Sequence, residues 1–183
     1  DYQSLMLPLL RFAADAGTEV STEQAVETLS KSLGLTSEEV KELLPSGIQS
    51  TFVNRVGWAT TYMKKAGLLE STRRGYFRIT SRGKELLNKQ PKIVNVKLLK
   101  QYPEFIEFQQ LKGTRRGEKL VTPTGSSDVS KATPSEVLET AYENLRDELA
   151  EELLTRLKKS SPTFFERVVV ELHFRVERQQ VAL

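Results

Sequence analysis

The run STFVNRVGWATTYMKKAGLLESTRRGYFRIT, residues 50–80, decides how the rest of this chain is read. On a helical wheel Phe52, Val56, Ala59, Met63 and Ala66 fall within about 80° of one another, so the spacing predicts a helix over 50–66 with that stripe inward. Gly67 supplies its C-terminal stop. The opposite side gathers Asn54, Trp58, Thr61 and Lys65 within about 60°, with Gly57 and Lys64 on the flank. Leu68–Ser71 and Tyr76–Thr80 then read as two short strands joined by Thr72, Arg73, Arg74 and Gly75, a hairpin with glycine at the turn exit. Phe77 and Ile79 share one face of the second strand, and Tyr76, Arg78 and Thr80 share the other.

Working towards the N-terminus, Leu5, Leu9, Phe12 and Ala13 form the stripe of an amphipathic helix over residues 3–14. Ser21 with Gln24 is a capping box ahead of Ala25, Val26, Leu29 and Leu33, closed by Gly34. Thr36 with Glu39 repeats the pattern for a short helix carrying Val40, Leu43 and Leu44, halted before Pro45. On the other side, residues 81–89 read as a short helix with Leu86 and Leu87 inward, and 96–100 as one further turn or two. Four helices followed by a two-stranded hairpin is the order of a winged helix-turn-helix, in which the helix before the hairpin enters the major groove.

After Lys112 the composition changes. Gly113, Gly117, Pro123, Gly125, Ser126, Ser127 and Ser130 occur with almost no apolar side chains, which predicts a flexible linker over 113–133. Thr133 as N-cap, Pro134 at N1 and Glu136 at N3 start a new helix. Its Leu138, Tyr142, Leu145, Leu149, Leu153 and Leu157 recur at spacings of four and three, to about Lys159. Ser161 and Pro162 start another, with Phe164, Phe165, Val168, Val169 and Leu172 on one face. The two faces could close on each other as an antiparallel pair or serve as the seam of a homodimer through residues 134–176. The expected architecture is mainly α: a winged helix-turn-helix with a small β-hairpin wing over 1–112, a linker over 113–133, and a C-terminal helical pair within 134–183.

Composition excludes several classes of function. The 183 residues contain no cysteine, which removes disulfides, cysteine zinc sites and thiol catalysis. A single histidine, His173, argues against histidine metal sites and a Ser-His-Asp triad. No apolar run reaches membrane-spanning length and no secretory leader pattern opens the chain, so the expectation is a cytoplasmic protein without membrane contact. The formal charge of +3 is unevenly spread, at −5 over residues 1–50, +7 over 51–90, +4 over 91–133 and −3 over 134–183. A basic block flanked by acidic segments fits a phosphate-facing surface, although a solvated face would give the same pattern.

On that fold, the candidate DNA-binding residues follow from side-chain chemistry. Ser50 and Thr51 stand at the N-terminus of the groove helix. Asn54 can pair bidentately with adenine, Thr61 can touch a thymine methyl, and Lys65 can reach guanine or phosphate. Trp58 either stacks on sugar or base or covers a neighbouring element. Gly57 costs the helix stability, which points to close approach by another backbone or a phosphate. Arg73, Arg74 and Arg78 on the hairpin suit the phosphate backbone or an adjacent minor groove. Asp15 followed by Glu39-Val40-Lys41 mimics a metal-nuclease signature. It is rejected because those residues fall on a capped, solvent-facing helix, whereas such a site needs a buried strand. The whole reading requires the polar side of helix 50–66 and the arginine-tipped hairpin to lie open to a polyanion.

These residues carry a resemblance. Residues 45–83 are similar to the N-terminal domain of Mrr restriction endonucleases, most distinctively in Asn54-Arg55-Val56-Gly57-Trp58-Ala59, Lys65-Ala66-Gly67-Leu68-Leu69 and Arg74-Gly75-x-Phe77-x-Ile79-Thr80. The segment around Tyr2–Phe12 and Tyr102-Pro103-Glu104-Phe105 extends the likeness to roughly residues 1–108. Residues 133–172, ending in Ser161-Pro162-x-Phe164-Phe165-Glu166-Arg167-Val168-Val169, resemble the helical entry to the Mrr nuclease domain. In that family a glycine-rich turn and a sheet with Asp and then Glu or Gln, any residue and Lys should follow; the residues from Glu171 to Leu183 depart from this.

The resemblance implies binding of double-stranded DNA, chiefly modified (methylated) foreign DNA, by a restriction-modification system. It implies Mg2+ only for a full-length nuclease. For this chain the expectation is DNA binding without cleavage, from a truncated or frame-shifted gene or from a short regulatory paralogue. Two rival readings share the fold: a winged-helix transcription regulator, and a protein-interaction module using the wing and Trp58.

Overall fold

A computed structural model describes residues 1–114 and 132–180. The first compact unit runs from Asp1 to Glu139 and the second from Thr140 to Leu183. The expected stripe is buried at Leu5, Leu9 and Ala13, joined in helix α1 (Met6–Ala16) by Met6 and Leu10, while Phe12 packs at its margin. Helix α2 (Thr22–Ser32) forms with the expected capping box, the Ser21 hydroxyl accepting from the Gln24 amide and the Gln24 side chain accepting from the Ser21 amide. Helix α3 (Ser37–Lys41) is capped in the same way by Thr36 and Glu39. It ends before Leu43, which pairs instead with Ser50 in an isolated antiparallel bridge. The chain turns sharply between them, and Ile48 stands 87% exposed.

The central element is α4 (Thr51–Lys65), packed against α1, α2 and α3. Phe52, Val56, Ala59, Met63 and Ala66 are all buried, as their spacing predicts. Its end is a Schellman turn: the Leu68 amide donates to Met63 O at 2.9 Å, the Gly67 amide donates to Lys64 O at 3.1 Å, and Gly67 takes φ +69°. Strands β2 (Leu69–Ser71) and β3 (Tyr76–Ile79) pair antiparallel, with Leu69 opposite Ile79 and Ser71 opposite Phe77. Phe77 and Ile79 point into the core and Arg78 points out. Burying an aromatic or branched aliphatic side chain of this kind contributes about 1.5–3 kcal/mol.

The sheet has a third strand that the sequence pattern does not predict. Strand β1 (Val20–Ser21) pairs antiparallel with β3, giving the order β1-β3-β2. Two residues are too few to show a period of two, so only the packing of the hairpin beside α2 brings this strand into being. Helix α5 (Ser81–Asn88) starts at Thr80, whose hydroxyl accepts from the Gly83 amide, and α6 (Val96–Leu99) starts at Asn95. Helix α7 (Pro103–Thr114) is a further element beyond the expected set; it buries Phe105 against α4. The whole is mainly helical with a small antiparallel sheet, consistent with a winged helix.

Helix α8 (Pro134–Lys158) begins in the first unit. The unit boundary therefore falls inside this helix, not ahead of it. Most of the expected linker, residues 115–131, lies outside the described residues. In the second unit α8 continues and α9 (Pro162–Gln180) follows. Both helices form, but not as a closely packed pair. Leu145, Leu149, Phe164 and Leu172 each stay half exposed or more. Among the described residues no helix is long and apolar enough to cross a membrane.

Candidate nucleic-acid interface

The polar side of α4 is divided in two. One half is covered by the residues that start α8. Asn54, expected to face a base edge, is buried instead: its amide donates to Gln49 Oε1 at 3.0 Å and its carbonyl accepts from the Thr133 hydroxyl at 2.8 Å. Thr133 is itself fully buried. Trp58 donates from Nε1 to Ser135 Oγ at 3.1 Å and sets its ring edge-on to Tyr62 at 5.7 Å. Tyr62 in turn meets Tyr2, Phe105 and Phe108 edge-on, so Trp58 borders an aromatic cluster tying α1, α4 and α7 together. Burial raises the hydroxyl pKa of both Tyr2 and Tyr62, keeping them neutral inside this cluster. Of the two readings of Trp58, the structure shows the packing one.

The other half of α4 stays accessible. Val53, Gly57, Thr61 and Lys64 line it at helical spacing, each half-buried, with Lys65 exposed beside them. The Thr61 hydroxyl donates to Gly57 O at 2.9 Å, so it is engaged within the helix. A Cβ placed on Gly57 would meet nothing within 4 Å. No packing within the fold therefore calls for a glycine there. Lys64 lies over the Phe77 ring at 5.6 Å, and its burial lowers the ammonium pKa. Lys65 lies over Phe108 at 5.2 Å.

A groove of about 540 Å³ runs between this stripe and the sheet, lined by Thr61, Lys64, Lys65, Glu70, Ser71 and Thr80 among others. Beyond it the hairpin carries the three expected arginines, all exposed. Arg73 stacks on the Tyr76 ring at 3.6 Å and pairs with Glu19 at 2.9 Å, while Arg78 pairs with Glu70. Exposed pairs of this kind are weak and readily exchanged for another anion. Arg74 has no ion-pair partner among the described residues. Ser50 and Thr51 are engaged locally. Ser50 Oγ caps α4 by accepting from the Val53 amide and donates to Val40 O, and the Thr51 amide donates to Glu42 O.

The profile of one protein family, the Mrr N-terminal domain, matches residues 2–89. Over this stretch the chain is similar to the Mrr N-terminal domain. The type IV methyl-directed restriction enzyme EcoKMrr of Escherichia coli (strain K12) is 28% identical over 188 residues, which cover 96% of this chain and 58% of that enzyme. The chain thus spans little more than half the length of the curated relative it matches. No solved structure matches it. The matched stretch holds α1 to α5 and the whole sheet, whereas the residues that cover Asn54 and Trp58 come from outside it.

Three features of this surface escape sequence reasoning. Arg55 enters the sequence pattern only as one letter of a motif, yet its Nε and Nη2 reach Glu136 Oε1 at 2.8 and 2.7 Å. Lys64, expected on the flank of the polar face, sits within the open stripe. Ile48 has a usable signal: Pro45-Ser46-Gly47 is a turn sequence, and Gly47 takes φ +70° just before it. The acids of the rejected nuclease signature lie apart from any strand, with Asp15 on α1 and Glu39 held to capping α3. The Thr36 amide and hydroxyl keep the Glu39 carboxyl below its ordinary pKa.

Proposed function

We propose that the first unit binds double-stranded DNA as a winged-helix domain, as the targeting part of an Mrr-like restriction system directed at modified, methylated DNA. The observation that carries this reading is one continuous surface: the open stripe of α4 borders the same groove as the sheet whose hairpin presents Arg73, Arg74 and Arg78. A groove helix beside an arginine-bearing wing suits base edges on one side and phosphates on the other. Thr61, Lys64 and Lys65 face the major groove, and the three arginines follow the backbone. Asn54 does not contribute to base reading while it is paired with Thr133.

The described residues do not fit the metal site of a nuclease. No group of three His, Asp or Glu side chains among them could hold a cation. Their strands contribute a single acid, Glu70, paired with Arg78. We therefore assign no cleavage step to these residues. The homodimer through residues 134–176 belongs to the same proposal, supported by the half-exposed apolar faces of α8 and α9. Sedimentation of the full chain tests it, and a monomer at micromolar concentration would remove it.

Binding of a labelled duplex, methylated and unmethylated, is the direct experiment. Affinity should fall steeply with salt. Exchanging Arg73 and Arg74 together for Ala should weaken binding to all duplexes and reduce the salt slope by about one for each phosphate that is no longer neutralised. Salt-independent behaviour, or no binding at low ionic strength, would refute the reading.

A further inference from the structure

The start of α8 is fastened to α4 in an unusual way. Residues 133–139 touch it and the preceding turn through polar atoms: Thr133 on Asn54, Ser135 on Trp58, Glu136 on Arg55, and Glu139 Oε2 accepting from the Ser46 amide at 3.0 Å. Apolar burial contributes little, since α8 buries no residue and Val137 and Leu138 are 39% and 71% exposed. The attachment consists of hydrogen bonds and an ion pair, which water, salt or another anion can replace. Glu136 has two duties. Its carboxylate completes the N-terminal capping box of α8 by accepting from the Thr133 amide, and it also holds Arg55. The capped turn and the docked position therefore form together.

The surface underneath has the composition of a phosphate-contacting surface: a guanidinium, an indole N–H, a carboxamide and a backbone N–H at the turn leading into α4. Two carboxylates, Glu136 and Glu139, occupy the positions where phosphate oxygens would accept the same hydrogen bonds.

We infer that Ser46, Arg55 and Trp58 form a second polyanion-binding surface on this domain, which the acidic start of α8 masks and which the phosphate backbone of duplex DNA uncovers by competing for Arg55. The inference rests on the DNA-binding reading above and extends it. In the closed state α4 offers only the stripe around Thr61 and Lys64. In the open state Arg55 and the Ser46 amide add contacts at the opposite edge of the helix. DNA occupancy is thereby tied to whether the first turn of α8 is docked.

Two measurements on the full chain test it. The double variant E136Q/E139Q keeps a side-chain amide oxygen able to cap α8 but removes both charges. It should bind a labelled duplex at low salt about three- to tenfold more tightly than the wild type, and adding R55Q should abolish that gain. Trp58 is the single tryptophan of the chain. Saturating duplex should therefore change its emission and its quenching by acrylamide in the wild-type protein, where no variant has to fold. Unchanged or weaker affinity of the double variant, or unmoved Trp58 emission at saturation, overturns the masking proposal while wild-type binding leaves the DNA reading intact. If the wild type does not bind duplex at low salt, both proposals fall.

Discussion

The hydroxyl of Thr133 donates to the carboxamide oxygen of Asn54 at 2.8 Å, across 79 positions of sequence and with both side chains buried. A residue type suited to reading adenine is thus used to anchor the chain to itself. Its amide is satisfied by Gln49 and its carbonyl by Thr133, and no buried side-chain polar atom among the described residues lacks a partner.

Exchanging Thr133 for Val keeps the shape and removes both the donor to Asn54 and the oxygen that caps α8. The Asn54 carbonyl would then be buried without a partner, at a cost of about 1–3 kcal/mol. Thermal unfolding of the full chain should show the loss, and N54A/T133V together should lose less than the two single changes added, because they share one interaction.

Gly57→Ala separates stability from binding. With nothing within 4 Å of the added methyl group, the free protein should gain roughly 0.5–1 kcal/mol from helix propensity. If duplex DNA lies against the open stripe, the same methyl group should weaken binding. Denaturant midpoints and duplex affinity measured on one preparation check both signs.

Gly83 is constrained for a different reason. A Cβ there would stand 2.4 Å from Leu68 O and 2.7 Å from Ile79 Cγ1, so α5 would have to move off the sheet. Gly83→Ala should destabilise the domain by about 1–3 kcal/mol, visible as a lower unfolding midpoint.

Acid sensitivity should depend on Arg82, which donates to Ala66 O at the end of α4 and to Glu104 on α7. The hydrogen bond from Arg82 holds the Glu104 carboxyl below its ordinary value of 4.5. The folded state thus binds this proton more weakly than the unfolded state does. Its stabilisation is present above about pH 4.5 and is lost as pH falls through the lowered value. Unfolding midpoints measured downward from pH 5 should fall more steeply for the wild type than for R82Q, and parallel acid limbs would contradict the assignment.

Much of this was legible in local patterns. Both capping boxes, the buried stripe of α4, its glycine stop and the alternation of Phe77, Arg78 and Ile79 depend on residues within one turn or one strand of each other, and all appear where their spacing puts them. The exposure of the hairpin arginines follows from that same alternation and from the turn. On this scale the sequence by itself determined most of the elements, their inner faces and the basic hairpin, because helix and strand geometry turn position directly into direction.

Tertiary structure decided what covers the outer faces. An outward polar position on α4 is open only if nothing later in the chain docks on it. Whether Thr133 meets Asn54, Glu136 meets Arg55, or Val20 pairs with Phe77 depends on contacts between residues 57 to 81 positions apart. Such contacts are selected by the shape of the assembled surface and by the need to satisfy buried hydrogen-bonding groups, neither of which exists until the helices have packed.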